Sequence, residues 1–387
     1  MFEEFTQWES SMRVRTEANI PSLISRHLDN LTSISKKIMP IMDCQPSPLK
    51  TQLIHIDLER MANLLFAKAT ACTQLDSHTY TADFAPDWVI GTVPHGGYVT
   101  ACIQTVVRKH YSTTLKNQNQ PHTIAFHLDF LRRTQTGLAT FKLQDIKLGR
   151  QTSIVHVSLS QDDREEVVGY FTNSNIATET GVTYPTDWQL HPQPLPVKDF
   201  AALEAGSDPH WAERKEWPFV ELRKAPTKIR SWFPRAGQRT AACLDVWYCF
   251  RDPGSRFKNE SLGFICDTFP QILEQYVLKG VDPYSVEFEQ QYSQEQQKQV
   301  LGEGAKMWYP TLLLNLEIKK ALPVEGVRWL FIRLQAKTIK NGRYDLEVLA
   351  MDEGGELVAV SNHVCFAVSS ERNVAARRKV GEGEAKL

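Results

Sequence analysis

PHTIAFHLDFLRR (121–133) and YPTLLLNLEIKK (309–320) read as one strand written twice. Thr123 falls on Thr311, 188 residues on, with His127 on Asn315 and Asp129 on Glu317. Each copy closes on a basic pair, Arg132-Arg133 and Lys319-Lys320. A second match follows, LGRQTSIVHVSLSQDDREEVVGYFT (148–172) with NGRYDLEVLAMDEGGELVAVSNH (341–363), where Arg150 falls on Arg343, 193 residues on. Two matches at nearly the same spacing predict a duplicated module. An ancestral homodimer fused into one chain keeps its site at the old interface, where one half is free to lose its chemistry.

Within each copy the elements come in one order. Strands at Tyr80 to Phe84 and Leu244 to Phe250 are each followed by one helix, GGYVTACIQTVVRKH (96–110) and SLGFICDTFPQILEQYVL (261–278). Three longer strands are expected next, bounded by turn residues such as Gly137, Gly149, Asp162-Asp163, Asn341-Gly342 and Gly354-Gly355. A helix after one strand and then an antiparallel run describes a sheet wrapped around a single helix. The fold class is α+β, without the strand–helix alternation of a doubly wound sheet.

Around the two modules the chain divides further. Residues 1–54 form a helical N-terminal extension with apolar residues at helical spacing (Ile20, Leu23, Ile24, Leu28, Leu31, Ile34), closed by Pro40, Pro46 and Pro48. The first module spans 55–178, and a Pro- and Trp-rich linker spans 179–225. The second module spans 226–370, with a polar insertion at 281–306 read as a helical flap beside the site. The charged end, 371–387, is expected to be disordered.

Bulk properties exclude several functions. Lys+Arg 44 against Asp+Glu 45 argues against binding nucleic acid through its phosphates. The 7 cysteines form no CxxC pair and suggest reduced thiols in an intracellular compartment. No apolar stretch is long enough to span a membrane. The final AKL loosely matches a peroxisomal tripeptide, so the expected location is cytoplasmic or peroxisomal. There is no GxSxG elbow, no GxGxxG after a strand, no GxxxxGK[ST], no HExxH and no clustering of His and Cys in sequence.

WVIGTVPHGGYV at the first helix, SLGFICD at the second and the HLDFLR strand together resemble the acyl-CoA thioesterases of the double hotdog fold. More narrowly, they resemble a thioesterase-like group with a PHGGY signature found in bacteria and in fungal metabolite pathways. The resemblance covers roughly 60–370. It implies two tandem hotdog modules, sheets joined edge to edge and helices on one side. It also implies hydrolysis of an acyl thioester, carried by coenzyme A or a carrier protein, with no metal or redox cofactor.

For the site, the resemblance implies a carboxylate on the second helix, a Thr on the following strand and a Gln on the last strand, together holding the attacking water. These positions hold Asp267, Thr311 and, in place of Gln, His363, which could also take a proton. An acid in the otherwise apolar GFICDTFPQIL stands out on its own, because burying a carboxylate is costly without partners. His95, Gly96 and Gly97 open the first helix, where free N–H groups at the positive end of the dipole suit an oxyanion. The competing reading is that the glycines permit tight packing and that His95 caps the helix. The first helix carries no carboxylate, so one site per chain is expected.

The basic pairs are candidates for meeting coenzyme A phosphates, and the partner class is a small-molecule acyl thioester. A homo-oligomer is expected. Two other functions stay open: a pathway-specific cyclase, isomerase or dehydratase of secondary metabolism on the same scaffold, and a non-catalytic acyl-binding protein.

Overall fold

The computed structural model describes residues 65–276, 282–302 and 307–374. The expected N-terminal helical extension (1–54) lies outside the described residues. The strands are β1 (Thr79–Phe84), β2 (His122–Phe130), β3 (Gly137–Leu148), β4 (Ser153–Gln161), β5 (Arg164–Ser174), β6 (Trp211–Arg214), β7 (Ile229–Pro234), β8 (Cys243–Phe250), β9 (Thr311–Ile318), β10 (Leu330–Gln335), β11 (Arg343–Met351) and β12 (Leu357–Phe366). With short flanking strands they form one antiparallel sheet, in the order β1-β3-β4-β5-β2-β9-β12-β11-β10-β8-β7-β6. The first module runs β1-β3-β4-β5-β2 and the second runs back as β9-β12-β11-β10-β8. Each module has four strands after its helix, one more than the sequence suggested.

The joint between the modules is the repeated strand itself. β2 pairs with β9, and His127 faces Asn315 across the ladder. These are repeat-equivalent residues, so a two-fold pseudo-axis passes between them, as fusion of a homodimer requires. The His127 ring nitrogen Nδ1 lies 2.7 Å from Asn315 Oδ1. Both strands also carry a β-bulge at the same place, between Thr123 and Ala125 and between Thr311 and Leu313. A bulge re-aims side chains and bends its strand, and here it sits beside both threonines.

The ladders correct the second sequence match, by two residues on β4 and β11 and by one on β5 and β12. His127 faces Tyr170 while Asn315 faces Asn362, so the counterpart of His363 is Phe171. Val155 faces Phe171 and Leu346 faces His363, which sets Val155 on Leu346, 191 residues on. On β4 and β11 the slip of two leaves every side chain on its own face, which is why the alternation still matched there.

The first helix, α1 (Gly96–Ser112), is capped by His95, whose side chain accepts the Tyr98 N–H. The second is short: α3 (Leu262–Cys266), following α2 (Phe200–Ala205) in the chain, stops with Asp267 as its C-cap. The expected continuous helix over 261–278 is therefore broken. Pro270 disfavours helical backbone at Phe269 and supplies no N–H, and a 3-10 turn, Pro270–Tyr276, takes over.

The two helices meet through glycines. A Cβ on Gly97 would lie 2.8 Å from the Phe264 carbonyl and 2.9 Å from Asp267 Cβ, and one on Gly263 would lie 2.4 Å from Thr100 Cγ2. Gln104 locks the contact by accepting the Gly263 N–H at 3.0 Å and donating to the Asn259 carbonyl at 3.1 Å.

Two further stretches differ from expectation. Residues 179–225 are more than a linker, because α2 and edge strand β6 lie within them. Leu190, Leu203 and Trp211 bury themselves there against Trp232, Trp247 and Phe331 on the outer face of the second module. The 281–306 insertion does form helices, α4 (Val286–Gln291) and α5 (Gln294–Val300). They anchor on β6, where buried Arg214 donates to the Pro283 carbonyl and to Gln297 Oε1.

Candidate active site

Asp267 ends α3 only 2% exposed, at the floor of a cavity of about 400 Å³ between the modules. Thr311, aimed by its bulge, donates from Oγ1 to Asp267 Oδ1 at 2.7 Å. That spends the hydroxyl proton, so the Cys365 thiol 3.6 Å away is the donor of its pair with Thr311. Burial pushes the Cys365 thiol up to about 12, which leaves it protonated and unfit as a nucleophile.

His363 stands behind the carboxylate. Its Nδ1 lies 3.4 Å from Asp267 Oδ1, long for a hydrogen bond but close for an ion pair. Its Nε2 lies 2.7 Å from Ser361 Oγ. Ser361 gives its only proton to the Asn315 carbonyl at 2.7 Å, so Nε2 must be the donor to Ser361. Nδ1 has no hydrogen-bond partner among the described residues and faces Asp267.

Burial acts to raise the Asp267 carboxyl. The His363 ring beside it, the charges of His95 and His363, and the Thr311 hydrogen bond outweigh burial and hold it below the ordinary carboxylate value. Asp267 is therefore an ionised acid inside an apolar wall. Two neighbours address Oδ1, and Oδ2 is turned to α1, 2.7 Å from where a Cβ on Gly96 would sit.

The three residues opening α1 separate in role. His95 lines the cavity and caps the helix through Nδ1, 3.3 Å from the Tyr98 nitrogen. Burial lowers its pKa against the opposing pull of Asp267. Gly96 also lines the cavity, whereas Gly97 faces the Phe264 backbone. Neither glycine N–H has a hydrogen-bond partner among the described residues. Sequence reasoning set the oxyanion role against close packing; the geometry gives the cavity-facing position to Gly96 and the packing contact to Gly97.

His363 is likewise absent from the cavity wall. Its expected role is to position Asp267. Changing it to Phe, the residue its counterpart Phe171 already is, is expected to lower kcat about 10–100-fold through misplacement of Asp267, with KM little changed. His363→Gln restores a polar partner and is expected to recover much of the loss; equal kcat for the Phe and Gln variants would remove the role.

Of the other wall residues, the sequence singled out Arg132 and Arg133 alone. Phe130, Trp308 and Tyr309 supply aromatic faces, and Arg132, Arg133 and Arg223 bring guanidinium groups. Lys319 and Lys320, the other basic pair, lie elsewhere in ion pairs with Glu317 and with Asp352 and Glu356. No described residue of the 281–306 insertion, read as a flap beside the site, lines the cavity.

The chain beyond 370 does touch it. Helix α6 (Glu371–Val374) lies in the stretch expected to be disordered, and Arg372 and Asn373 line the cavity. Asn373 is buried, donates to the Ile90 carbonyl at 3.0 Å and accepts the Thr92 N–H at 3.2 Å. Gly91, with φ +61°, sits so close to Asn373 Oδ1 that a side chain there is excluded. Residues 375–387 lie outside the described residues.

The first module has the matching positions without the chemistry. Thr123 keeps its place and pairs with Asn173 Oδ1 at 3.0 Å. Phe171, the counterpart of His363, is stacked on Phe126 with centroids 4.8 Å apart. Among the described residues the bulge threonine meets a carboxylate in the second module and an amide in the first.

Family models described as the acyl-CoA thioesterase N-terminal domain and C-terminal domain match residues 84–174 and 189–367. The chain belongs to the acyl-CoA thioesterase family. The thioesterase-like protein TwmA of Talaromyces wortmannii is 36% identical over 349 residues, covering 84% of this chain and 98% of that protein. A Thermobifida fusca chain provisionally assigned as a thioesterase II shares the fold at TM-score 0.57 and 19% identity, over 78% of this chain and 97% of that one. A hot dog fold protein of unknown function from Alicyclobacillus acidocaldarius does so at TM-score 0.56 and 14% identity, over 79% and 99%. The family's C-terminal match begins at 189, inside the stretch read as linker, in keeping with its packing on the second module. No helix among the described residues is long and apolar enough to cross a membrane.

Proposed function

We propose that the chain hydrolyses an acyl thioester at Asp267, using a water held between the carboxylate and the start of α1. The observation that carries this reading is an ionised, buried Asp267 whose Oδ1 accepts the Thr311 hydroxyl and faces the His363 ring, which leaves Oδ2 for the cavity. Oδ2 takes a proton from the water as its oxygen attacks the thioester carbonyl. The Gly96 N–H, at the positive end of α1, stabilises the developing oxyanion. When the carbon–sulfur bond breaks, the proton passes from Asp267 to the thiolate, giving acid and thiol. The scheme calls on no metal or redox cofactor.

The acyl group is placed against Phe130, Trp308 and Tyr309. Arg132 and Arg133 at the wall favour an anionic carrier, with coenzyme A first among them. Arg132→Ala is expected to raise KM for an acyl-CoA several-fold, with a smaller effect at high salt, and to leave an uncharged thioester of the same acyl group unaffected. A KM unchanged for both would take the carrier away from this wall.

The test of the function is thiol release from short, medium, long and aromatic acyl-CoAs by the full chain. Release from at least one class is expected. Binding without release would make the chain an acyl-binding protein, and conversion without thiol release would make it a cyclase, isomerase or dehydratase on the same scaffold.

A further inference from the structure

At the far end of α1 from the cavity, three residues remote in sequence converge. His78 Nε2 lies 3.2 Å from Asp145 Oδ2, and His110 Nε2 lies 2.9 Å from Asp145 Oδ1. One ligand atom from each falls within 4.8 Å of the others. The residues come from the turn before β1, the last turn of α1 and the middle of β3, so no sequence spacing announced them. With a rise of 1.5 Å per residue, His110 is about 21 Å along the helix from Gly96.

We infer that His78, His110 and Asp145 form a binding site for a divalent transition-metal ion of the zinc type. Ligands about 2.0–2.1 Å from a tetrahedral ion stand about 3.3 Å apart, close to the two His–Asp spacings of 3.2 and 2.9 Å. Each histidine also has its other nitrogen held by a hydroxyl. His110 Nδ1 is 3.0 Å from Tyr80 Oη, and His78 Nδ1 is 2.8 Å from Ser77 Oγ. Such partners orient a ligating imidazole and let Nδ1 carry the proton while Nε2 offers its lone pair. Tyr80 can accept from His110 because its own proton has an outlet, the Ser77 carbonyl at 3.4 Å.

Tyr111 supplies an independent sign. Its hydroxyl is buried without a hydrogen-bond partner, on a side chain 3% exposed and near enough to Asp145 to feel its charge. An unpartnered buried hydroxyl is costly, and a water or hydroxide on the fourth metal position would meet it. The negative end of the α1 dipole also lies at this turn and favours a cation. The bound ion would staple helix to sheet within the first module, away from the reaction.

Co2+ is the probe. Titrated into the metal-free full chain, it is expected to give the visible absorption of a low-coordinate site, to be displaced by Zn2+, and to raise Tm. His78→Ala alters a half-exposed side chain and should fold. It is expected to weaken Co2+ binding at least tenfold and abolish the Tm shift, while His156→Ala, outside the cluster, changes neither. No Co2+ spectrum in the wild-type chain would overturn the inference, and so would a spectrum that His78→Ala leaves intact. Thiol release is expected to be unchanged in His78→Ala, so failure of this site and failure of the catalytic reading are separately visible.

Discussion

Asp267→Asn is expected to lower kcat/KM for thiol release about 10²–10⁴-fold, the usual contribution of a positioned general base. Asparagine has nearly the same shape and can still accept the Thr311 hydroxyl, which lies 2.7 Å from Oδ1 in the wild type. What it lacks is charge, and with it the capacity to take a proton at Oδ2. The variant should stay folded, because an amide is cheaper to bury than a carboxylate, and far-UV circular dichroism checks this. Retained turnover with an intact fold would keep the family reaction and move its base elsewhere.

The pH profile gives the same residue a second signature. His363 and Thr311 hold the Asp267 carboxyl below its ordinary value of 3.8 against the opposing effect of burial. A depressed carboxyl contributes stability that is present above its unfolded pKa, about 3.9. That contribution is lost as pH falls through the lower folded value. The acid limb of kcat/KM due to Asp267 is therefore expected below the usual carboxylate range, with activity flat towards neutrality. An acid limb near pH 6 would assign the titrating base to another group.

Gly97→Ala is the second large effect expected. Its new Cβ would stand 2.8 Å from the Phe264 carbonyl and 2.9 Å from Phe264 Cα, both backbone atoms, and 2.9 Å from Asp267 Cβ. Nothing flexible is there to yield, so α1 and α3 must separate. Overpacking of this kind costs about 1–3 kcal/mol, read as a lower denaturation midpoint at unchanged m. The same shift moves Asp267 relative to Gly96, so kcat is expected to fall about 10²-fold. Thermal and chemical denaturation beside steady-state kinetics separate the two losses, and an alanine variant with wild-type stability would refute the close helix contact.

The duplication was readable because a strand face repeats with period two, and Thr123 and Thr311 each open a strand of apolar alternation. Asp267 was readable because a charge stands out in an apolar helix. His363 was found through the resemblance, but its place behind the carboxylate depends on strand register, which the sequence match does not fix. Pro270 marks the helix break in the sequence, but the apolar run around it reads as one continuous helix. Trp308, Arg372 and Asn373 gave no local signal, since they become wall residues only when the 307–308 and 368–369 strands pair. His78, His110 and Asp145 were silent for the same reason: their meeting is wholly tertiary.

The joint between β2 and β9 has a consequence during synthesis. Strand β2 ends at Phe130 and its neighbour β9 begins at Thr311, so on the ribosome the first module waits for its partner strand. At about 5–20 residues per second, that interval is roughly 10–40 s. Throughout it, β2 is an unpaired edge that can template another chain, and the glycine face of α1 has no helix against it. The nascent first module is thus briefly returned to the condition of a lone subunit seeking a twin. Two such chains on one polysome could pair with each other before either meets its own second half.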